Sequence, residues 1–129
     1  MTIIRAYTTI EQSKKLAEIL PIETSDMIYT VTNGYHTPFI RIETIEELYE
    51  DDVCAWSLAA LLSVLPNNGH INTTISRGSW KIEPVEYLPN IWWCQYEDEK
   101  RDKEFNISAD NPVDAAFEMI IKLHELKML

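Results

Sequence analysis

The sequence contains few of the residues from which small-molecule and metal sites are commonly built. It has 3 glycines and 2 cysteines among 129 residues. Phosphate-binding loops need closely spaced glycines, whereas Gly34, Gly69 and Gly78 lie far apart. Cys54 and Cys94 are forty positions apart and belong to no CxxC or Cys/His motif. The sequence therefore predicts two buried, reduced thiols and no zinc site.

Basic residues are also scarce, since 11 Lys and Arg face 21 Asp and Glu and give a net charge of -10. This charge repels nucleic-acid phosphates and anionic membrane surfaces, so we expect binding to neither. The longest apolar-rich stretch, residues 54–65, is too short to span a bilayer. Residues 1–7 lack the basic and long apolar regions of a secretion signal, so we expect a cytoplasmic protein.

Two long segments have clear helical boundaries. Thr9 and Gln12 have capping-box spacing, and Pro21 ends a predicted helix over residues 9–20. Asn111 and Pro112 suit the N-cap and the first turn of a final helix. The inner faces are predicted from 3.6-residue periodicity: Ile10, Leu16, Ala17 and Leu20 in the first helix, and Val113, Ala116, Phe117, Ile120, Leu123 and His124 in the last.

A third helix is predicted over residues 54–65, where only Ser57 and Ser63 are polar. A helix that is apolar all round is buried in a core or in a subunit interface. Residues 44–49 are predicted to form a short acidic helix.

Strands are predicted where β-branched and aromatic residues cluster or alternate with polar ones: Met27–Thr32, Pro38–Ile42, Ile71–Ser76, Trp80–Glu83, Ile91–Glu97 and Glu104–Ile107. Asn33-Gly34 signals a hairpin, with the turn type left open. Residues 98–103 are predicted to form an exposed, charged tip. The pattern predicts one domain over residues 1–129 with an α+β fold, in which two to three main helices pack on an antiparallel meander sheet.

An acidic run is the first candidate binding site. It places six acidic residues within ten positions, with no Lys or Arg among them: Glu43, Glu46, Glu47, Glu50, Asp51 and Asp52. Such a run is typical of a solvated face. It is also suited to dock a basic partner or to mimic the phosphates of a nucleic acid. The spacing is not that of an EF-hand, and we expect no bound metal.

Trp92 and Trp93 form the second candidate, because adjacent residues of a strand face opposite sides of the sheet. If one face packs on helices, one of the two indoles lies on the other face. That indole is either covered by a second layer or by a loop such as residues 83–90, or it is part of a binding patch.

The three histidines, His36, His70 and His124, have no neighbours at metal-ligand spacing, and no catalytic motif accompanies them. The sequence therefore gives no catalytic residue. A pocket near Trp93 and His124, with Cys94 and His124 as nucleophile and base, is the enzymatic or small-ligand alternative.

Three segments together resemble blocks of a family of small uncharacterised bacterial proteins, often encoded in prophage-like or mobile regions. These segments are Thr9–Pro21, Ala55–Pro66 and Asn111–Met119. The resemblance implies a cytoplasmic accessory protein of a mobile element. It transfers no catalytic residue.

The function expected from the sequence is that of a non-enzymatic, acidic, phage- or mobile-element-associated interaction protein without a cofactor. Its expected partner is another protein, and its expected state is a monomer or a homodimer. Two alternatives stay open. One is an acidic inhibitor that mimics nucleic acid and binds a basic nucleic-acid-binding protein. The other is the small-ligand-binding protein or enzyme with a pocket near Trp93 and His124.

Overall fold

A computed structural model describes residues 5–40, 51–78 and 91–129. Within these ranges the fold is α+β, as predicted, with three α-helices and two three-stranded antiparallel sheets. The elements in chain order are α1 (Ile10–Ala17), a 3₁₀ helix (Ile22–Thr24), β1 (Met27–Thr32), β2 (Tyr35–Ile40), β3 (Val53–Ala55), α2 (Leu58–Val64), β4 (Ile71–Arg77), β5 (Trp92–Asp98), β6 (Lys103–Ala109) and α3 (Pro112–Glu125). No described helix has both the length and the apolar character needed to cross a membrane.

The chain divides into two compact units, one from Ala6 to Val64 and the other comprising Arg5 and residues 65–129. The first unit holds a sheet with strand order β2-β1-β3, which we call the hairpin sheet. The second holds a sheet with the order β4-β5-β6, which we call the meander sheet. The single domain expected from the sequence stays a prediction.

Helix α1 begins where its capping box predicts. Thr9 Oγ1 accepts from Gln12 N at 3.1 Å, and Gln12 Oε1 accepts from Thr9 N at 3.0 Å. The helix ends at Ala17, before the predicted boundary, and Ala17 is exposed rather than on the inner face. Ser13 is buried instead, with its hydroxyl 2.7 Å from that of Thr8. A polar pair therefore occupies a position that hydrophobic periodicity does not identify.

The β1–β2 hairpin closes with a two-residue turn, which settles the turn type. Asn33 has φ 53° and Gly34 has φ 82°, as a type I′ turn requires at both central positions. Thr32 and Tyr35 pair directly across this turn. Strand β2 therefore starts at Tyr35, earlier than the predicted start at Pro38.

The predicted helix over residues 54–65 is wrong in its first four positions. Cys54 and Ala55 pair with Ile28 and Met27 in strand β3, and helix α2 begins only at Leu58. The boundary is fixed by long-range bonds, since Asp26 Oδ1 accepts from Ser57 N at 2.8 Å and its other oxygen accepts from Ser57 Oγ. Helix α2 is also not buried all round, because Ala60 and Leu61 are its buried residues.

Buried hydrogen bonds tie the first unit around Trp56, which is fully buried. Thr8 N donates to Trp56 O at 2.9 Å, and Trp56 N donates to Thr8 Oγ1 at 3.1 Å. Tyr29 Oη donates to Thr8 O at 2.7 Å, and Trp56 Nε1 donates to Thr24 Oγ1 at 2.9 Å. The chain before α1, the sheet and the 3₁₀ helix are thereby held together.

Strands β4, β5 and β6 confirm the strands predicted at residues 71–76, 91–97 and 104–107. Helix α3 starts as predicted, with Asn111 Oδ1 accepting from Val113 N at 2.8 Å and Pro112 in its first turn. It packs on one face of the sheet, where Lys122 Nζ lies 4.8 Å from the centre of the Phe105 ring. Nine of its fourteen residues are buried, so α3 supplies much of the apolar burial in this unit. The predicted strand at residues 80–83 and the predicted helix at residues 44–49 lie outside the described residues.

Candidate functional site

The acidic run lies mostly outside the described residues. Four of its six residues lie outside the described residues: Glu43, Glu46, Glu47 and Glu50. Asp51 is exposed and Asp52 is half-buried, just before strand β3. The acidic docking site stays a prediction.

Trp92 and Trp93 do lie on opposite faces of the meander sheet. Trp92 pairs with Arg77 and Ala109, while Trp93 pairs with Ser76 and Ser108. Both indoles are half-buried, and both indole N–H groups are buried with no acceptor among the described residues. Because Trp92 shares its face with α3, Trp93 belongs to the face that α3 leaves open.

This open face of the meander sheet, which we call the polar face, is built from three rows across the strands. The strand register brings together Asn72, Glu97 and Glu104 in the first row, Thr74, Gln95 and Asn106 in the second, and Ser76, Trp93 and Ser108 in the third. Trp93 is the one large apolar side chain among these nine residues. The strict alternation predicted from the sequence therefore produces a polar surface with a single aromatic residue.

Two carboxylates stand directly opposite each other on the polar face, since Glu97 pairs with Glu104. Like charges in this position repel. Gln95 Nε2 donates to Glu97 Oε1 at 2.7 Å and to Glu104 Oε1 at 3.0 Å, and thus links both carboxylates. The Gln95 amide thus bridges the two carboxylates. Among the described residues, no group of three or more metal-ligating side chains occurs.

The structure separates the residues of the predicted pocket. Trp93 lies on the polar face, whereas α3, which carries His124, packs on the other face. His124 is exposed, so its assignment to the inner stripe of α3 is wrong. It lies in the last turn, beyond the last buried residue of the stripe, Leu123. Cys94 is fully buried, and burial raises its thiol pKa to about 12. A buried, protonated thiol and an exposed imidazole do not form a nucleophile–base pair.

Asp98 is buried rather than part of an exposed tip. Its Oδ1 accepts from Lys100 N at 3.1 Å and from Arg101 N at 3.2 Å, so the carboxylate holds the β5–β6 turn. Burial, followed by the negative charge of Asp98, raises the pKa of the Tyr96 hydroxyl on the same sheet face. Both groups serve the packing of the meander sheet.

Most of the exposed large hydrophobic side chains of the described residues lie on a hairpin that was not among the predicted sites. Seven large hydrophobic side chains are exposed in the described ranges, and four of them lie on the β1–β2 hairpin. We call these four the hairpin patch: Val31 is 44% exposed, Tyr35 77%, Phe39 47% and Ile40 72%. The signal available in the sequence was a segment, residues 27–40, with no Asp, Glu, Lys or Arg. Its apolar residues occur at both strand parities, which indicates a strand without a polar face.

Strand β2 is an edge strand in the described part of the hairpin sheet. The two-residue turn makes Thr32 and Tyr35 a hydrogen-bonded pair. From this pair onward, pairs without and pairs with backbone hydrogen bonds alternate along the hairpin. Tyr29 and Pro38 are then a pair without ladder bonds, consistent with the missing N–H of Pro38. The backbone groups of His36, Pro38 and Ile40 consequently point away from β1, toward the outer edge.

Comparison with family models, curated proteins and solved structures found no match for this chain.

Proposed function

We propose that this chain is a non-enzymatic interaction protein that binds another polypeptide through the hairpin patch. The observation that carries this proposal is the concentration of exposed apolar side chains on one hairpin. The four side chains lie two on each face of the hairpin, and exposed apolar side chains concentrated on one element are typical of protein-binding sites. Tyr and Phe are also enriched in the buried centres of such sites.

Four described polar and nucleophilic groups favour binding over catalysis, because each of them serves a structural role. Asp26 and Ser57 fix the start of α2, since Ser57 Oγ also accepts from Ala60 N at 3.2 Å. Asp98 holds a turn, and the Cys94 thiol is buried within the sheet–helix interface.

The cellular setting that we propose is cytoplasmic, as an accessory protein of a prophage or other mobile element. Support comes from the resemblance of three sequence segments to such a family.

The acidic run supports a second partner class, a basic nucleic-acid-binding protein. Residues 43–52 carry six negative charges and no positive one. Binding to such a partner through these residues is strongly weakened by salt, whereas apolar binding through the hairpin patch is not.

Site-specific photo-crosslinking in cells tests the proposal. A benzoylphenylalanine at position 35 places the crosslinker at the most exposed residue of the patch. The same group at position 126 is the control, because Leu126 is 47% exposed but lies at the C-terminal end of α3, outside the patch. We expect a discrete adduct from position 35 and none from position 126. The absence of an adduct at position 35, or identical adducts from both positions, would contradict the proposal.

A further inference from the structure

Three of the four sheet edges in the described part of the molecule are protected against pairing with another chain. Strand β2 carries Pro38 on its outer edge. Strand β3 has only three residues and offers little edge to a partner. The loop before β4 covers that strand. Asn68 and Ile71 exchange two backbone bonds of 2.9 Å, and Asn67 Oδ1 accepts from Thr73 N at 3.1 Å.

Strand β6 is the fourth edge, and its outer backbone groups have no partner among the described residues. Glu99 N donates to His70 O at 3.0 Å, so the odd-numbered residues of β5 direct their backbone groups toward β4. The even-numbered residues of β5 therefore bond to β6, where their partners are odd-numbered. The residues of β6 that direct their backbone groups outward are consequently Glu104, Asn106 and Ser108.

Nothing in the backbone of β6 blocks this edge. The strand contains no proline, and its register with β5 runs through seven consecutive pairs without a bulge. Prolines and bulges are the usual backbone devices that prevent strand addition. The outer edge of β6 can therefore accept an extended segment along most of its length.

The side chains along this edge differ between the two faces of the meander sheet. Glu104 is exposed on the polar face and lies opposite Glu97. These two carboxylates are the only charges among the nine residues of that face. On the face that packs on α3, Phe105 and Ile107 are half-buried, and Lys122 Nζ lies 4.8 Å from the centre of the Phe105 ring. A strand beside β6 would thus meet negative charge on one face and apolar surface on the other.

We propose that the outer edge of β6 binds an extended segment of another polypeptide, with a Lys or Arg side chain beside Glu104 on the polar face. The alternate side chains of that segment are apolar and lie beside Phe105 and Ile107. In strand addition of this kind, backbone bonds supply affinity and alternate side chains supply specificity. The cation offsets the repulsion between Glu97 and Glu104, and the net charge of -10 attracts a basic partner.

Amide NMR of the purified chain, titrated at low salt with a blocked seven-residue peptide of alternating valine and lysine, tests the proposal. We expect the amide signals of Glu104, Asn106 and Ser108 to shift. The same peptide with glutamate in place of lysine should bind at least about tenfold more weakly. Added salt should narrow this difference, because it screens the charges. The absence of shifts along β6, or equal binding of both peptides, would overturn the proposal.

A first pair of variants tests the backbone bonds of the edge. Asn106→Pro removes an outward N–H that takes no part in the pairing with β5, and places the proline ring on the edge. It should weaken binding of the lysine peptide by at least about tenfold. Asn106→Ala keeps the N–H and should weaken it far less, and circular dichroism establishes that both variants retain the fold. Equal binding by the two variants would contradict strand addition.

A second pair tests the charge and leaves the backbone edge intact, so it is informative even where Asn106→Pro does not fold. Glu104→Lys should remove the preference for the lysine peptide over the glutamate peptide, because a cation then meets a cation. Glu118→Lys makes the same change of charge on the exposed side of α3 and should keep the preference. A preference that survives in Glu104→Lys would overturn the proposed side-chain chemistry.

Sedimentation velocity of the chain without peptide distinguishes a second copy as the occupant. We expect a monomer, because two copies that each carry a net charge of -10 repel each other. A dimer that is lost in Asn106→Pro would overturn the proposal and assign the edge to self-association. The β6 edge and the hairpin patch lie in different compact units. Crosslinking at position 35 therefore tests the proposed function alone, and the peptide titration tests the β6 edge alone.

Discussion

The two sheets have three antiparallel strands each, yet they distribute apolar residues in opposite ways. In the meander sheet, one face packs on α3 and the other is the polar face, with Trp93 as its large apolar residue. In the hairpin sheet, the β1–β2 hairpin has exposed apolar residues on both faces. Val31 and Ile40 share one face and Tyr35 and Phe39 the other, all of them exposed.

This difference is the basis of the proposed function. The meander sheet shows that the chain can place polar side chains wherever a strand faces solvent. The exposed apolar residues of the hairpin keep between 44% and 77% of their surface in solvent in the single chain, and they raise the risk of aggregation at an edge. Pro38 on the outer edge limits that risk, because its ring lies where a partner strand would need an N–H donor. The proposed function therefore rests on the hairpin patch and not on the polar face.

The largest expected effect compares two tyrosines, one from each sheet. Tyr96 is 1% exposed and stacks on Phe105 with ring centres 5.6 Å apart, whereas Tyr35 is 77% exposed. Tyr96→Ala should lower the free energy of unfolding by about 3–5 kcal/mol, as for other buried aromatic residues. Tyr35→Ala should change it by less than about 0.5 kcal/mol. Urea unfolding of the monomer, at low concentration, measures both. A comparable loss in the two variants would contradict the assignment of the hairpin patch to binding rather than folding.

The next effect concerns pH and belongs to the meander sheet. Burial raises the pKa of Cys94 from 9.0 to about 12, so the folded state holds the proton more tightly than the unfolded chain. This contribution to stability is complete below pH 9 and is lost as the pH rises toward 12. From pH about 8 to about 11, the loss from this thiol is about 2–3 kcal/mol.

Urea unfolding of the native chain and of Cys94→Ala at these two pH values measures the contribution. The variant should lose less stability than the native chain on going to high pH. Tyr96→Phe should reduce the remaining loss further, because burial and Asp98 also raise the pKa of Tyr96. Equal losses in the native chain and in Cys94→Ala would show that this thiol is not buried as described.

A smaller effect tests the turn on which the geometry of the hairpin depends. Gly34 has φ 82°, and no atom lies within 4 Å of a Cβ placed there. Gly34→Ala should therefore cost only the backbone strain of a left-handed residue, about 1 kcal/mol. Gly69 is the control, because its site is equally open and its φ is not in the left-handed range. Gly69→Ala should be neutral or slightly stabilising in thermal unfolding. Equal costs would contradict the type I′ turn.

The sequence predicts those parts of the fold that depend on local chemistry. The capping box at Thr9, the N-cap at Asn111 and the alternation of β4 and β5 act within a few residues, and the structure confirms them. The boundary between β3 and α2 depends on Asp26, which lies 31 positions from Ser57. A buried helix and a buried strand can both have a continuous apolar sequence, and residues 54–65 are such a sequence. The sequence alone therefore does not separate the strand from the helix.

The candidate site was less predictable, for a related reason. Exposure of Tyr35 or Ile40 depends on what packs against the hairpin, and no local pattern encodes that. The sequence placed Trp92 and Trp93 correctly on opposite faces, but it did not show that Trp93 would be half-buried among polar neighbours. Asp98 was expected in an exposed tip because charged residues follow it, whereas its carboxylate is used by the backbone of the turn.

The smallest expected effect lies on the polar face, where Glu97 opposes Glu104. Glu104→Gln removes the repulsion between the two carboxylates and leaves an acceptor for Gln95. We expect a stabilisation of a few tenths of a kcal/mol at low salt, and less at high salt because the repulsion is then screened. Glu118→Gln, on the exposed side of α3, changes the net charge equally but removes no cross-strand carboxylate pair; one helical turn away it has one neighbour of each sign, Asp114 and Lys122. If both substitutions stabilised the protein equally, the gain would come from net charge alone. A gain confined to Glu104→Gln would instead show that the polar face carries a local electrostatic cost, which a cationic side chain of a partner could relieve.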